Sequence, residues 1–212
     1  MLNLVKLPVR KSDVALRVCK GHFATKHSHT NYYIDVTFQK TRFNEARATA
    51  KLMAKDYMST SVVDTILCLD NMQVVGTCLA DELTRSGIHS INAHQTIYVI
   101  TPETTNESQL LFRESAMPML RGKHILILLA SATTGISVNQ AIDCVRYYGG
   151  VVAGVSAIYS AIETAEDGTP INGLYRMEDL PDYASYRAYD CPMCRRGEKL
   201  EALVSGTGYS TL

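Results

Sequence analysis

Between residues 125 and 137 the chain reads ILILLASATTGIS. An apolar run without alternation is buried on both faces, as in a central strand of a parallel sheet covered by helices. The run stops in a small hydroxyl-rich turn, Thr133-Thr134-Gly135, and then enters a helical pattern. In open α/β sheets, ligands lodge beyond the carboxyl ends of the strands. Exposed backbone N–H groups, the dipole of the following helix and the hydroxyls of Thr133, Thr134 and Ser137 all favour an anion there. An ordinary strand-to-helix turn is the competing reading of the same residues.

The pattern around this run repeats. Residues 65–69 (TILCL), 95–100 (QTIYVI) and 151–159 read as further strands. Helical segments are predicted over 76–85, stopped by Ser86-Gly87, and over 138–148, ended by Gly149-Gly150. Residues 101–109 (TPETTNESQ) are polar and read as a mobile loop. Nearer the start, 14–18 (VALRV) and 32–38 (YYIDVTF) read as strands separated by a polar loop, GHFATKHSHTN. Over 42–58, Phe43, Ala46, Ala50, Met53, Ala54 and Tyr57 recur at helical steps and make one apolar face. From 65 to 160 the order is strand, helix, strand, loop, strand, helix, strand. The prediction is an α/β fold, a Rossmann-like central parallel sheet flanked by helices.

Bulk composition narrows the classes of function. The 212 residues are 46% hydrophobic and 20% charged, with 21 basic and 21 acidic side chains. That balance favours neither nucleic acid nor a membrane surface as a partner. No apolar run approaches the roughly 18 residues of a membrane span. The opening MLNLVKLPVRKSD has no long apolar core, so a secretory leader is not expected. The scattered cysteines do not form a disulfide framework, and a cytoplasmic protein with reduced thiols is expected.

The turn, with the four apolar residues before it, is similar to the phosphoribosyl diphosphate motif of type I phosphoribosyltransferases. Gly21-His22-Phe23-Ala24-Thr25-Lys26 and Asn31-Tyr32-Tyr33-Ile34-Asp35 resemble the start of orotate phosphoribosyltransferases. Leu69-Asp70-Asn71-Met72-Gln73-Val74-Val75-Gly76-Thr77 resembles that family's pyrophosphate-side loop, and Tyr189-Asp190-Cys191-Pro192-Met193-Cys194-Arg195-Arg196-Gly197 the tail of some members. The resemblance implies a single domain. A core over about 41–171 carries a small hood from about 1–40 and 172–212. It implies that Ser131, Ala132, Thr133, Thr134, Gly135, Ile136 and Ser137 surround a 5′-phosphate. Gly76, Thr77 and Lys26 would lie on the pyrophosphate side, and Phe23, Tyr32 and Tyr33 around the base. A ligand such as phosphoribosyl diphosphate or a nucleoside 5′-monophosphate, Mg2+ during catalysis and a homodimer belong to the same implication.

The family pattern is broken at positions that bear on catalysis. Its paired acidic residues fall at Leu129 and Ala130, whose side chains accept no hydrogen bond. Its loop lysine is missing, since no lysine occurs between Lys55 and Lys123, and Arg113 is the candidate substitute. The aspartate and arginine that meet the orotate carboxylate fall at Ser160 and Ala161. Each unmade charged hydrogen bond is worth roughly 1.5–3 kcal/mol. The expectation is a binder of phosphoribosyl diphosphate or nucleotide with impaired or altered catalysis and without orotate specificity. An active phosphoribosyltransferase is the alternative.

Cys191-Pro192-Met193-Cys194 has zinc-type spacing, but a structural site needs four ligands and no second pair stands nearby in sequence. Two copies in a dimer would complete it, or His22, His27 or His29 if they fold alongside. Plain thiols are the simpler reading and no metal is expected. His27-Ser28-His29 also resembles a ligand pair.

Overall fold

Residues 65–68 and 124–132, the apolar runs read as strands, lie side by side at the centre of the fold. The computed structural model describes residues 2–8, 14–85, 90–93, 95–105 and 109–212. In chain order the first elements are β1 (Val5–Pro8), β2 (Ala15–Ala24), β3 (His29–Asp35), α1 (Thr37–Thr41) and α2 (Phe43–Ala54). Next come β4 (Thr65–Cys68), α3 (Gln73–Thr84), β5 (Tyr98–Ile100) and a short antiparallel pair, β6 (Glu103–Thr104) with β7 (Leu110–Leu111). The second half contains β8 (His124–Ala132), α4 (Ile136–Tyr147), β9 (Val151–Ser160) and β10 (Ile171–Arg176). The last elements are β11 (Ser185–Tyr186), the one-turn α5 (Pro192–Arg195), and the hairpin β12 (Ala202–Ser205) and β13 (Gly208–Thr211).

One sheet is all parallel, in the order β10-β9-β8-β4-β5. Its central strand shows why the sequence run does not alternate. Leu126, Leu128 and Ala130 pack on one face with the buried sides of α2 and α3, and Ile125, Ile127 and Leu129 on the other with α4. Side chains alternate along a strand, and both faces are dry, so every position is apolar. After β4 the chain winds outward to β5. It then returns to β8 and winds the other way, which puts the topological switch point between β4 and β8.

The second sheet is built from both chain ends. β3, β2 and the C-terminal β12 and β13 pair in that order, with β11 on the far side of β3 and β1 on β2. Its own small core joins Phe23 and Tyr33 to Ala202 and Val204. Here the structure departs from the sequence expectation. The polar stretch after residue 18 is mostly strand, because β2 continues to Ala24 and leaves only residues 25–28 as a turn. Conversely, residues 36–38 are not strand: Asp35 Oδ1 accepts from the Thr37 amide (3.0 Å) and the chain turns into α1. The expected helix over 42–58 ends as α2 at Ala54, and the expected strand over 95–100 shortens to β5. Within the loop at 101–109, Glu103–Thr104 form β6, which pairs with β7 just beyond the loop, and residues 106–108 lie outside the described residues, as do Ser86 and Gly87. Among the described residues, no helix is long and apolar enough to cross a membrane.

Candidate active site

Two strand-to-helix turns flank the switch point. The β8–α4 turn contains Thr133, Thr134 and Gly135. Gly135 takes φ 81°, a left-handed conformation that opens the way into α4, and the Asn139 amide donates to its carbonyl at 2.8 Å. Thr134, Ile136 and Ser137 are exposed, while Gly135 is buried. The β4–α3 turn contains Asp70 and Asn71, both left-handed without being glycine (φ 50° and 61°). Asp and Asn tolerate this region better than other residues, but it stores strain.

Tertiary contacts hold the second turn in place. The buried Lys40 ammonium donates to the Asp70 carbonyl at 2.9 Å and to the Gly206 carbonyl in the β12–β13 turn. The Ala130 amide donates to Asp70 Oδ2 at 3.1 Å. A Cβ on Gly206 would sit 2.7 Å from Asp70, so only glycine allows this approach. Burial pushes the Asp70 carboxyl up, against the Ala130 N–H and the Lys40 charge. Burial likewise pulls the Lys40 ammonium down, with Asp70 and Asp35 opposing.

A cavity of about 220 Å³ lies over the β8–α4 turn. Ser131, Ala132, Thr133, Thr134, Gly135 and Ser137 line one side, and Lys26, Tyr32 and Tyr33 from the β2–β3 hairpin the other. Asp70, Tyr183 and the turn after β12 close it. Asp70 is the only carboxylate in this lining among the described residues. A neighbouring cavity of about 440 Å³ shares Lys26, His27, Asp70 and Ser137, and adds Asn71 and Gln73. Together they form a cleft with hydroxyls and helix-start amides at one end and the strained β4–α3 turn at the other. The hairpin turn is fixed by Thr25, whose Oγ1 accepts from the amides of Ser28 (2.9 Å) and His27 (3.2 Å), so Lys26 and His27 project at the cleft.

Several expected site residues sit elsewhere. Gly76 and Thr77 lie inside α3 and line neither cavity. A Cβ on Gly76 would collide with Cys68 Sγ, so this glycine lets the helix approach β4, and the Thr77 hydroxyl donates to the Gln73 carbonyl at 2.8 Å. From that segment it is Asp70, Asn71 and Gln73 that line the second cavity. Phe23 is fully buried against Tyr33 and does not line the cavity. Ile136 is outside the lining too. Arg113 is exposed and forked onto Glu103 (Nε to Oε1, 2.8 Å) and lines neither cavity. Leu129 and Ala130 are buried in the core, and the Ser160 hydroxyl donates to the Ile162 carbonyl at 2.6 Å.

Residues that the sequence did not suggest complete the cleft. Tyr183 has its phenol pushed up to about 12 by burial. Val204, Ser205 and Gly206 come from the far end of the chain. For Asp70 a signal existed, since an Asp-Asn pair directly after a buried strand suits a left-handed turn. For the C-terminal hairpin there was none.

The histidines separate as well. His27 faces the cleft, whereas His29 turns away to meet His22, Cys191 and Cys194, whose ligand atoms lie within 4.8 Å of one another. The fold thus supplies beside Cys191-Pro192-Met193-Cys194 the second pair that its sequence surroundings lack.

A doubly wound sheet with a hydroxyl-lined turn at its switch point, roofed by a hood of terminal strands, is the type I phosphoribosyltransferase fold. No protein-family model matches the chain. An orotate phosphoribosyltransferase from Caldanaerobacter subterraneus subsp. tengcongensis is 25% identical over 183 residues, 84% of this chain and 85% of that relative. Among solved structures, the orotate phosphoribosyltransferase from Aeropyrum pernix superposes with a TM-score of 0.53 at 14% identity, covering 77% of this chain and 92% of its own. The Mycobacterium tuberculosis orotate phosphoribosyltransferase in complex with 5-phospho-alpha-D-ribosyl 1-diphosphate gives 0.50 at 18% identity, with 70% and 82% covered. The chain thus has the type I phosphoribosyltransferase fold, and in sequence it is similar to the orotate phosphoribosyltransferases.

Proposed function

We propose that the cleft binds phosphoribosyl diphosphate or a nucleoside 5′-monophosphate, with the 5′-phosphate in the Thr133–Ser137 turn and catalysis impaired or altered. The observation that carries this reading is the cavity itself. Hydroxyls and amides at the start of α4 face Lys26 across a space open to an anion. The phosphoribosyl diphosphate bound by the Mycobacterium tuberculosis relative is a ligand of this shape and charge.

The departures at Leu129 and Ala130 support weakened chemistry. Both side chains are in the core, so no carboxylate from the end of β8 reaches a ribose diol. Developing positive charge at the anomeric carbon would therefore lack its nearest electrostatic partner on that strand. The missing basic residue at Ser160 and Ala161 supports a base other than orotate, because a ligand carboxylate there would have no charged partner.

A second reading, an active transferase, draws on Asp70. Its carboxylate enters the same cavity from the neighbouring turn, tied to the Ala130 amide where the family's acid would stand. The oxygen-rich set of Asp70, Asn71 and Gln73 also fits Mg2+, which prefers one or two carboxylates together with substrate phosphates. Bound there with pyrophosphate oxygens, the ion would neutralise charge on the leaving group. In the same reading, Lys26 draws the ligand's phosphates to the cleft, the Thr133–Ser137 turn fixes the ribose end, and Tyr32 and Tyr33 shield the base from water. A homodimer and a cytoplasmic setting complete the proposal.

Calorimetry with phosphoribosyl diphosphate and a panel of nucleoside monophosphates should show dissociation constants near the micromolar range, about −8 kcal/mol. No heat from any of them would end the binding reading. Pyrophosphate release with a panel of bases at about 1 per second or faster would replace impaired catalysis by the active reading.

A further inference from the structure

We propose that His22, His29, Cys191 and Cys194 hold a structural zinc ion that joins the β2–β3 hairpin to the C-terminal tail. The four side chains come from three separate elements, yet their ligand atoms meet at one point. His22 Nε2 lies 3.1 Å from His29 Nδ1, 3.6 Å from Cys191 Sγ and 3.7 Å from Cys194 Sγ, and Cys194 Sγ lies 3.2 Å from His29 Nδ1. With Zn–N near 2.0–2.1 Å and Zn–S near 2.3 Å, the edges of a zinc tetrahedron are about 3.3–3.8 Å. These four separations fall on or just below that range, and all four ligand atoms lie within 4.8 Å of one another, near enough to close on one ion.

The hydrogen-bond chemistry favours a metal over a network of ordinary hydrogen bonds. His22 Nδ1 is 2.9 Å from the Glu198 carbonyl, which only accepts, so Nδ1 carries the proton. The neutral ring then presents an unprotonated Nε2, and that one lone pair faces three neighbours at once. A lone pair can satisfy one donor; a cation at the centre satisfies all four ligands. The Nδ1–H to carbonyl bond is also the outer contact that orients a metal-bound histidine. Two thiols and two imidazoles in a tetrahedron select zinc among the common divalent ions.

Local structure serves the cluster. The β2–β3 register shifts between Lys20 and Phe23, which turns His22 out of simple alternation towards the tail. Gly21 at that shift leaves room for Glu201, whose Oε1 accepts from the His22 amide at 3.4 Å. His22 and Cys191 are buried, and Cys194 is open to solvent, so the ion would have an entry side. His22 and His29 bracket the turn at residues 25–28 that carries Lys26 and His27 to the cleft. An ion gripping both strands would thus fix the hairpin whose tip faces the ligand.

The test is metal content of the whole protein as purified, by mass spectrometry of the metal. Cys194→Ser removes the solvent-side ligand, and Cys144→Ser removes a thiol outside the cluster as a control. About one zinc per chain is expected in the wild type and in Cys144→Ser, and a fraction of that in Cys194→Ser. Co2+ exchanged into the wild type should give the visible bands of a tetrahedral thiolate site, lost in Cys194→Ser. Chelation should lower Tm of the wild type and leave Tm of Cys194→Ser in place. A wild type that neither contains zinc nor takes up Co2+ would overturn the proposal. So would full zinc in Cys194→Ser, or a native Cys191–Cys194 disulfide. A wild-type Tm that ignores chelation would overturn the structural role.

Discussion

The two turns at the switch point solve the same geometric problem in opposite ways. After β8, the chain enters α4 through Gly135, and the conformation is local: a left-handed glycine, a hydroxyl-rich bend and an open face. After β4, the chain enters α3 through Asp70 and Asn71, which take the left-handed region at a cost that glycine does not pay. That turn is held from outside, by Lys40 from α1, by the Ala130 amide from β8 and by the close approach of Gly206 from the last hairpin. A turn stable by itself can leave its amides for a ligand. A strained turn must be held by its neighbours, and its geometry then depends on elements far away in sequence.

Three substitutions probe this contrast, the largest effect first. Lys40→Met should destabilise the fold by about 3 kcal/mol, because two partly buried carbonyls lose their donor and each such loss costs roughly 1–3 kcal/mol. Urea unfolding measures it. An unchanged midpoint would mean that the β4–α3 turn holds itself. Gly135→Val should cost less stability, about 1–2 kcal/mol for a branched residue forced left-handed. The new side chain would also press on Ile162 Cδ1, 3.3 Å from its Cβ. Its larger effect should be on binding, with phosphoribosyl diphosphate affinity falling by about a hundredfold, or 2.7 kcal/mol. Calorimetry showing wild-type affinity would remove the phosphate from this turn.

The smallest effect is a change of slope. Burial raises the Asp70 carboxyl in the folded state, so the folded protein holds that proton more tightly than the unfolded chain. Its contribution to stability is fully present below the ordinary carboxylate range, about pH 4, and is lost as pH rises through the raised folded value. Asp56, also raised by burial, adds a slope of the same sign. Asp70→Asn should remove its own part and flatten the stability curve above about pH 4, measured as urea midpoints across pH. An identical slope in wild type and variant would show that Asp70 is not the buried acid of the turn.

Much of the central sheet was legible in residue patterns. The runs at 65–69, 125–129 and 151–159 are mostly apolar because both faces of those strands are largely covered, and a two-sided burial leaves a one-dimensional trace. The turn at Thr133–Gly135 was legible for the same reason, since its chemistry is contiguous. The second sheet was misread at 19–24 because its strand carries Lys20, Gly21 and His22, polar or small residues whose partners are the distant tail. Gly76 packs against Cys68 rather than lining either cavity, and a glycine needed for helix–strand contact and one needed for a ligand look alike in sequence.

The sequence by itself determined the parallel sheet and the hydroxyl-lined turn, because burial on two faces and a local bend are written in neighbouring residues. Only the tertiary structure decided that Asp70 stands beside Ala130, that the last hairpin roofs the cleft, and that two histidines meet two cysteines from the tail. Those are contacts across long chain separations. Their geometry follows from how sheets and termini pack, a property of the whole chain that no short stretch carries.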